Sequence, residues 1–216
     1  MISVRAIGST TPLVPEIPDT EGIISYCARV SNPNNQTNWE TAEGLLNYCI
    51  KHSHWSVFET ANVLMEIKAP RDISRQILRH RTATFQEFSQ RYADVSDDMF
   101  CQRELRFQDH TNRQNSIHVN SVWEDEWYQD QEELLEHVKK LQAKWRGLDA
   151  AKECVRVFMP EGLTMSTMYM NATVRTWLHY VDLRGGHGTQ KEHIEVAVQC
   201  REVLAGLLPT LFKEEI

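Results

Sequence analysis

The stretch from Arg79 to Tyr92 constrains the fold most, because it concentrates three arginines, a histidine and a carboxylate in fourteen residues. The chain has a formal net charge of −7, so this stretch is a local basic island. Consecutive helix residues lie about 100° apart around the axis, so Arg79, His80 and Arg81 cannot share one helix face. Either the backbone turns here or the side chains fan out, and both arrangements suit a small anion held from several sides. Guanidinium groups match phosphate oxygens two at a time.

Length and composition predict one soluble globular domain over residues 1–216. Hydrophobic residues make up 41% of the chain and charged residues 25%, which is ordinary for a chain that buries a core. No apolar run is long enough for a membrane span, and the first residues lack the layout of a signal peptide. We therefore expect a cytoplasmic protein without membrane contact, and the acidic net charge disfavours general binding to nucleic acid.

Cysteine usage also indicates a reducing compartment. The five cysteines are odd in number, scattered, and never arranged as CxxC, so we expect reduced thiols that lie mostly in the core. They are Cys27, Cys49, Cys101, Cys154 and Cys200.

Hydrophobic periodicity predicts an α+β fold, rich in helix, with a small mixed or antiparallel sheet. Strands are predicted near 2–8, 61–68 and 163–170. Helices are predicted near 21–29, 37–52, 71 to 79 or 81, 122–146, 148–157, 171–184 and 189–208. Residues 94–121 show no clear period and are predicted to be mainly loop, either a lid or a subunit contact. The tryptophans of the 122–146 segment are predicted to pack in the core or at an interface.

Three residues are predicted to start helices. Thr37 and Glu40 have capping-box spacing, with Thr37 as the N-cap. Pro70 suits the first turn of a helix, where its missing N–H costs nothing. Asn171 is a natural N-cap for the helix that follows it.

Two histidines one residue apart, His52 and His54, permit a different interpretation. Together with His187 and His193 they would serve a metal-dependent nucleotide hydrolase, although no third ligand lies nearby in the sequence. A non-enzymatic alternative is an RNA-binding module that uses the arginine island, but no RRM, KH or zinc pattern occurs. Metal analysis would test the first alternative, and salt-dependent binding would test the second.

The basic stretch also resembles a known signature. Arg79-His80-Arg81, seven residues, and then Ser89-x-Arg91-Tyr92 is similar to the motif of the flavin-dependent thymidylate synthases. This resemblance covers roughly residues 22–92 and 150–200. It implies methylation of dUMP to dTMP with FAD as cofactor, methylenetetrahydrofolate as carbon donor and NADPH as reductant. It further implies a homotetramer whose active sites lie between subunits.

The resemblance assigns site residues by position. Arg184 would be catalytic, stabilising negative charge that develops on the uracil ring, and Arg156 would reach the nucleotide from a neighbouring subunit. The residues expected to bind dUMP are Gln76, Arg79, Glu87, Ser89, Gln90, Arg91, Arg156 and Arg184. Those expected to bind FAD are Ser31, His54, Ser56, Glu59, Arg79, His80, Arg81, Gln86, Glu87, Asn171 and His179. No metal is expected. Taken alone, Ser31 would be a helix stop and Arg156 an ordinary helix arginine.

Some positions depart from the family pattern. Thr84 and Gln86 stand where serine and asparagine are frequent, and Ser56 stands where threonine is, so the hydrogen-bonding type is kept. Gln90 replaces a small residue, often glycine, in the loop expected to approach the nucleotide. No protein nucleophile is expected, because no cysteine has a Pro-Cys-His setting and Ser89 has no identified base. The resemblance instead assigns the redox work to the flavin.

Overall fold

The computed structural model describes residues 1–186 and 188–213. Its strands are β1 (Ser3–Ser9), β2 (Asn62–Pro70), β3 (Thr84–Glu87), β4 (Phe107–Gln108), β5 (Ser116–Ile117) and β6 (Met165–Thr173). Its α-helices are α1 (Thr20–Ala28), α2 (Ala42–Lys51), α3 (Arg71–Ile77), α4 (Glu124–Gly147), α5 (Lys152–Val155), α6 (Val174–Arg184) and α7 (Lys191–Leu207). Short 3₁₀ turns, such as Trp55–Glu59 and Arg156–Phe158, connect several of them. The predicted α+β class is confirmed.

Four strands form one sheet in the order β1-β2-β6-β3, and every neighbouring pair is antiparallel. The sheet is therefore antiparallel rather than mixed. In β2, Val63, Met65 and Ile67 alternate along one face and are all fully buried, as the apolar alternation predicts. The opposite face stays open, with Tyr169 38% exposed. One covered face and one open face are typical of antiparallel sheets.

Helices α6 and α7 cover the buried face of the sheet. Trp177 of α6 is fully buried, and its indole N–H donates to the backbone oxygen of Val63 at 3.0 Å. This bond ties α6 to β2 and satisfies the polar atom of a large buried side chain. Val196, Cys200 and Leu204 of α7 contribute to the same core. The fold thus holds the end of α6, which carries Arg184, against a rigid support.

Two of the three predicted helix starts are wrong. Thr37 caps no helix, because the chain first makes a 3₁₀ turn at Trp39–Thr41 and α2 begins only at Ala42. The start near Pro70 is confirmed, because Pro70 is the N-cap of α3 and the helix begins at Arg71, although Pro70 also ends β2 in a pair with Met165. Asn171 lies within β6.

Strand β6 extends further than its sequence pattern predicts, because its pairing with β2 and β3 holds the chain extended through Asn171. The N-cap of α6 is therefore Thr173, whose hydroxyl accepts from the backbone N–H of Thr176. Tertiary pairing outweighs the local capping preference here.

The predicted helix 148–157 is reduced to α5 and a following 3₁₀ turn. Asp149 adopts a left-handed backbone conformation, with φ of 60°, which a continuous helix does not allow. In the segment predicted to be loop, β4 and β5 form a two-stranded hairpin. Arg103 and Arg106 anchor this segment to α7, because both pair with Glu192 at 2.8 Å.

Within the described ranges, no helix is long and apolar enough to cross a membrane.

Candidate functional site

The basic stretch begins with a tight backbone turn. Helix α3 ends at Ile77, and the N–H groups of Arg79 and His80 then bond three residues back, to Gln76 and Ile77. A further turn closes from the N–H of Ala83 to the oxygen of His80 at 3.1 Å. Of the two arrangements that the sequence leaves open, the backbone turn is the one observed, and α3 is shorter than predicted. Its consequence is that Arg79 and Arg81 point to solvent while His80 is only 9% exposed.

His80 orients Arg184. The guanidinium Nε of Arg184 donates to Nε2 of His80 at 3.0 Å, and the His80 ring stands edge-on to Tyr180 with ring centroids 4.9 Å apart. Burial, together with the nearby charges of Arg184 and His179, lowers the pKa of His80 to about 4. A neutral imidazole accepts at one nitrogen only, so the proton of His80 lies on Nδ1. Arg184 therefore has a fixed acceptor before any ligand binds.

A second buried histidine lies behind this pair, and the sequence predicts it only as a candidate metal ligand, not as part of the nucleotide or flavin site. His193 is fully buried, its Nδ1 lies 3.2 Å from Oε1 of Gln76, and its Nε2 lies 3.2 Å from the hydroxyl of Tyr180. The amide of Gln76 donates in turn to Oε1 of Gln190 at 2.7 Å. Burial, Arg184 and His80 lower the pKa of His193 to about 3. We call Gln76, His80, Tyr180, Arg184, His193 and Gln190 the histidine network.

Glu87 is held inside the chain at the end of β3. Its side chain is 14% exposed, and Arg75 lies 3.0 Å from its carboxylate. The hydroxyl of Ser166 donates to the same carboxylate at 2.9 Å, and Arg71 lies 3.9 Å away. Burial first, and then the charge of Arg75, lower the pKa of Arg71. Arg71, Arg75 and Ser166 were missed by the sequence reasoning, and the only signal was the spacing of the two arginines on one face of α3.

The arginine loop group, defined as Ser89, Gln90, Arg91 and Arg156, differs in exposure. Arg91 and Arg156 are exposed, and the guanidinium of Arg91 lies 3.6 Å from the exposed carboxylate of Glu153. The Ser89 hydroxyl accepts only a long bond, 3.4 Å, from the backbone N–H of Arg91. In the described ranges, no hydrogen bond or ion pair joins this group to the histidine network.

Gln90, which stands where the family often has glycine, has its side chain buried inside the protein. Its side chain is 6% exposed and lines a small cavity with Arg156. Its backbone is not in the left-handed region, which among the described non-glycine residues is occupied only by Ser53 and Asp149. A glycine is therefore not required there by backbone conformation. The buried Nε2 of Gln90 has no hydrogen-bond partner in the described part of the chain.

The remaining residues expected at the flavin lie on the surface. The exposed ones are Ser31, His54, Ser56, Glu59, Arg81, Gln86, Asn171 and His179. Glu59 pairs with Arg175 across the contact between the Trp55–Glu59 turn and α6. The rings of Tyr48, His52 and His54 cluster, with 4.2 Å between the centroids of the first two. These side chains are open to a ligand, but they do not enclose a pocket by themselves.

The metal interpretation finds no support in the geometry. Within residues 1–186 and 188–213, no three His, Cys, Asp or Glu side chains converge in a way that could hold a metal ion. His193 has both ring nitrogens engaged by Gln76 and Tyr180. His187 lies outside the described residues.

An open cavity of about 710 Å³ lies between the 103–116 segment, α4 and the start of α7. None of the predicted site residues lines it, but Gln190, which bonds Gln76, does. The walls carry both charge signs, and Arg103 is neutralised there by Asp72 and Glu192.

Comparison with solved structures agrees with the observed fold. The crystal structure of a UMP/dUMP methylase, PolB from Streptomyces cacaoi, bound with 5-Br dUMP superimposes with a TM-score of 0.82. The match covers 99% of this chain and 93% of that one at 22% sequence identity. At this level of identity the likeness supports the architecture alone.

Comparison with characterised sequences gives the family. A family model described as thymidylate synthase complementing protein matches residues 12–210. A probable flavin-dependent thymidylate synthase of Paramecium bursaria Chlorella virus 1 is 46% identical over 98% of each chain. The flavin-dependent thymidylate synthase of a Synechocystis species is 39% identical over 97% of each chain. The chain therefore belongs to the flavin-dependent thymidylate synthase family.

Proposed function

We propose that this protein methylates dUMP to dTMP, with FAD as cofactor, methylenetetrahydrofolate as carbon donor and NADPH as reductant. The observation that carries the proposal is the turn at Arg79–Arg81, which buries His80 against Arg184 and leaves two further guanidinium groups facing outward. The proposal is also supported by two relatives, 46% and 39% identical over nearly the whole chain, that are named for this activity. The hydrolase alternative receives no such support.

Arg184 is assigned the catalytic role. Its guanidinium is held in place by the neutral His80, so it does not have to reorganise when negative charge develops on the uracil ring. Gln76 and Arg79 would contact the nucleotide from the same turn. Preorganised donors of this kind act where charge appears in the transition state, which is why we expect Arg184 to affect turnover more than binding.

The arginine loop group is assigned the phosphate. Arg91 and Arg156 are exposed cations, and the only ion pair of Arg91 in the described residues is a solvent-screened one with Glu153. The Ser89 hydroxyl can donate to a phosphate oxygen, because its one side-chain hydrogen bond within the described residues uses it as an acceptor. Charge-assisted bonds to a phosphate are stronger than these existing contacts.

The donor set on the surface fits a flavin dinucleotide. Arg79 and Arg81 are exposed and make no ion pair within residues 1–186 and 188–213, so both are free to meet a diphosphate. His54, Ser56 and Asn171 offer hydrogen-bonding groups of the kind that fix a ring system. Bound FAD would supply the redox chemistry of the methyl transfer.

Three of the five thiols are unsuited to act as nucleophiles. Burial raises the pKa of Cys49, Cys101 and Cys200, which keeps these groups protonated at neutral pH. In the described part of the chain, no basic side chain is hydrogen-bonded to the Ser89 hydroxyl, so none is placed to activate it as a nucleophile. A reaction that needs no protein nucleophile is consistent with both observations.

We further propose a homotetramer in which one subunit's histidine network meets a neighbouring subunit's arginine loop group. Among the described residues of one chain, the two sets make no bond to each other, although the proposed reaction needs both. Large apolar side chains also remain on the surface, including Val122 at 90%, Val157 at 73% and Trp123 at 60% exposure. Exposed apolar surface of this kind marks a protein interface.

The test is an assay with dUMP that carries tritium at the carbon that receives the methyl group. Tritium release and dTMP formation should require FAD, methylenetetrahydrofolate and NADPH together, and omission of any one should abolish product. Purified or reconstituted protein should be yellow. A colourless protein that cannot be reconstituted with FAD, or product without the folate, would refute the proposal.

A further inference from the structure

The histidine network contains a buried hydrogen-bond chain that the proposed mechanism does not use. It runs from the Tyr180 hydroxyl through the His193 ring and the Gln76 amide to the Gln190 side chain. Tyr180 and His193 are both fully buried, and neither faces the surface where ligands are expected. Two titratable side chains sealed behind a substrate-contact residue suggest a supporting role for that residue.

The donor and acceptor roles along these hydrogen bonds follow from the Tyr180 hydroxyl. The Tyr180 hydroxyl makes its only hydrogen bond in the described part of the chain with Nε2 of His193. A buried O–H group that donates to nothing is costly, so this hydroxyl donates to Nε2. Nε2 is then an acceptor.

The proton of His193 therefore lies on Nδ1, because a neutral imidazole carries a single N–H. His193 is neutral, since burial and the nearby Arg184 and His80 lower its pKa to about 3. Its Nδ1–H donates to Oε1 of Gln76, and the amide nitrogen of Gln76 is left to donate to Gln190.

The other tautomer of His193, with its proton on Nε2, is excluded by the same count of donors and acceptors. If His193 carried its proton on Nε2, the Tyr180 hydroxyl would have to donate elsewhere, and the described residues give it no other acceptor. Gln76 would then turn its amide over, with its nitrogen toward His193. Amide orientation thus depends on one buried hydroxyl group.

We propose that Tyr180 and His193 are positioning residues that lock the Gln76 amide in one orientation and thereby set the hydrogen-bond pattern it offers to the pyrimidine nucleotide. This inference rests on the proposed function, because Gln76 is taken as a dUMP contact. With Oε1 held by His193 and one N–H held by Gln190, Gln76 presents its second N–H as a donor. Such a donor complements a ring carbonyl, which uracil carries.

The experiment compares two substitutions at one position. The amide nitrogen of asparagine lies where Nδ1 lies, so His193→Asn keeps the donor to Gln76, whereas the amide nitrogen of His193→Gln lies nearer the Nε2 position. Each variant, reconstituted with FAD, is titrated with dUMP. We expect His193→Asn to bind dUMP nearly as the unchanged protein does, and His193→Gln to bind roughly 3- to 10-fold more weakly, the effect of one hydrogen bond.

Tyr180→Phe gives a second, independent variant, because it removes only the hydroxyl that sets the direction. We expect it to weaken dUMP binding to a similar degree as His193→Gln, with FAD affinity and melting temperature little changed. Tyr26→Phe, a hydroxyl removal on α1, is the matched control and should have no effect.

A double-mutant cycle shows whether the effect acts through Gln76. In a Gln76→Ala background, His193→Gln and Tyr180→Phe should cause no further loss of dUMP affinity. Equal affinity of His193→Asn and His193→Gln, or full additivity with Gln76→Ala, would overturn the inference. Failure of the unchanged protein to bind dUMP would instead overturn the proposed function.

Discussion

The histidine network and the arginine loop group serve one proposed substrate but differ in how they are built. In the first, His193 is fully buried and His80 is 9% exposed, and both are hydrogen-bonded to other members. In the second, the Arg91 side chain is 54% exposed and its Glu153 partner 59%. The network is thus fixed before ligand arrives, whereas the loop group carries charge that a phosphate has yet to engage. Preorganisation belongs where transition-state charge develops, and exposed charge suffices for binding.

The largest expected effect comes from Arg184, because it links the network to the reaction. Arg184→Ala should lower kcat by about 10²- to 10³-fold, as expected for loss of one preorganised electrostatic donor. The affinity for dUMP should change far less. Steady-state kinetics with dUMP as the varied substrate measures both parameters.

Arg113→Ala is the control for this variant, since Arg113 is an exposed arginine of the segment 94–121. It should leave kcat and KM unchanged. If Arg184→Ala changed KM alone and left kcat unchanged, the proposal that the histidine network acts on turnover and the arginine loop group on binding would be contradicted.

The loop group should show the opposite kinetic signature. Arg91→Ala should raise the Kd for dUMP about 10- to 100-fold through the loss of charge-assisted bonds to phosphate. The affinity for deoxyuridine, which lacks the phosphate, should stay the same. Titrations of the two ligands measure the contrast, and an equal loss for both would rule out a phosphate role for Arg91.

Acid should weaken the network before it affects the loop group. The pKa values of about 4 for His80 and about 3 for His193 lie below the roughly 6.5 of an exposed imidazole. Between these values the unfolded chain binds more protons than the folded one, so stability falls as pH falls. The contribution is complete above about pH 6.5 and is lost as pH drops through 4 and 3.

Melting temperatures at neutral and mildly acidic pH test this expectation. His193→Asn removes one of the two buried imidazoles, so its melting temperature should fall less between the two conditions than that of the unchanged protein. Parallel falls would show that other groups control the acid sensitivity.

The smallest effect concerns the helix that carries Tyr180 and Arg184. Thr173→Ala removes the hydroxyl that accepts from the N–H of Thr176 and should cost about 1 kcal/mol of unfolding free energy. Denaturant titration measures it. Thr37→Ala is the matched control, because Thr37 has the sequence pattern of a cap but caps no helix. Equal losses would mean that the cap at Thr173 contributes nothing specific.

Apolar patterning was sufficient to predict most of the fold. The alternation of Val63, Met65 and Ile67 reports burial directly, and β2 is confirmed. The long period of α4 predicts the helix correctly but not its burial, because Trp123, Trp127, Leu134 and Trp145 are exposed and only Gln131, Leu135 and Val138 are buried. The start of α3 after Pro70 is confirmed, but the predicted caps at Thr37 and Asn171 are wrong. Thr173, rather than Asn171, caps α6 because β6 stays paired to its end. Capping preference depends on local sequence alone, so it does not predict whether a neighbouring strand keeps the chain extended.

The candidate site likewise contains features that the sequence predicts and features that it does not. The turn at Arg79–Arg81 was predictable, because three consecutive polar residues cannot share a helix face. His193 and Tyr180 were not, because they are far from Gln76 in the chain and one histidine on a helix carries no spacing signal. Arg71 and Ser166 support Glu87 only through the sheet register, which sequence periodicity leaves open.

The central claim is that the Arg79–Arg81 turn, with Arg184 behind it, seats a pyrimidine monophosphate against a bound flavin. The most direct test is a visible absorption spectrum of the FAD-reconstituted protein during titration with dUMP. We predict flavin bands that remain with the protein after desalting and shift saturably as dUMP is added. Protein that retains no FAD, or flavin bands that stay unchanged at saturating dUMP, would contradict the account.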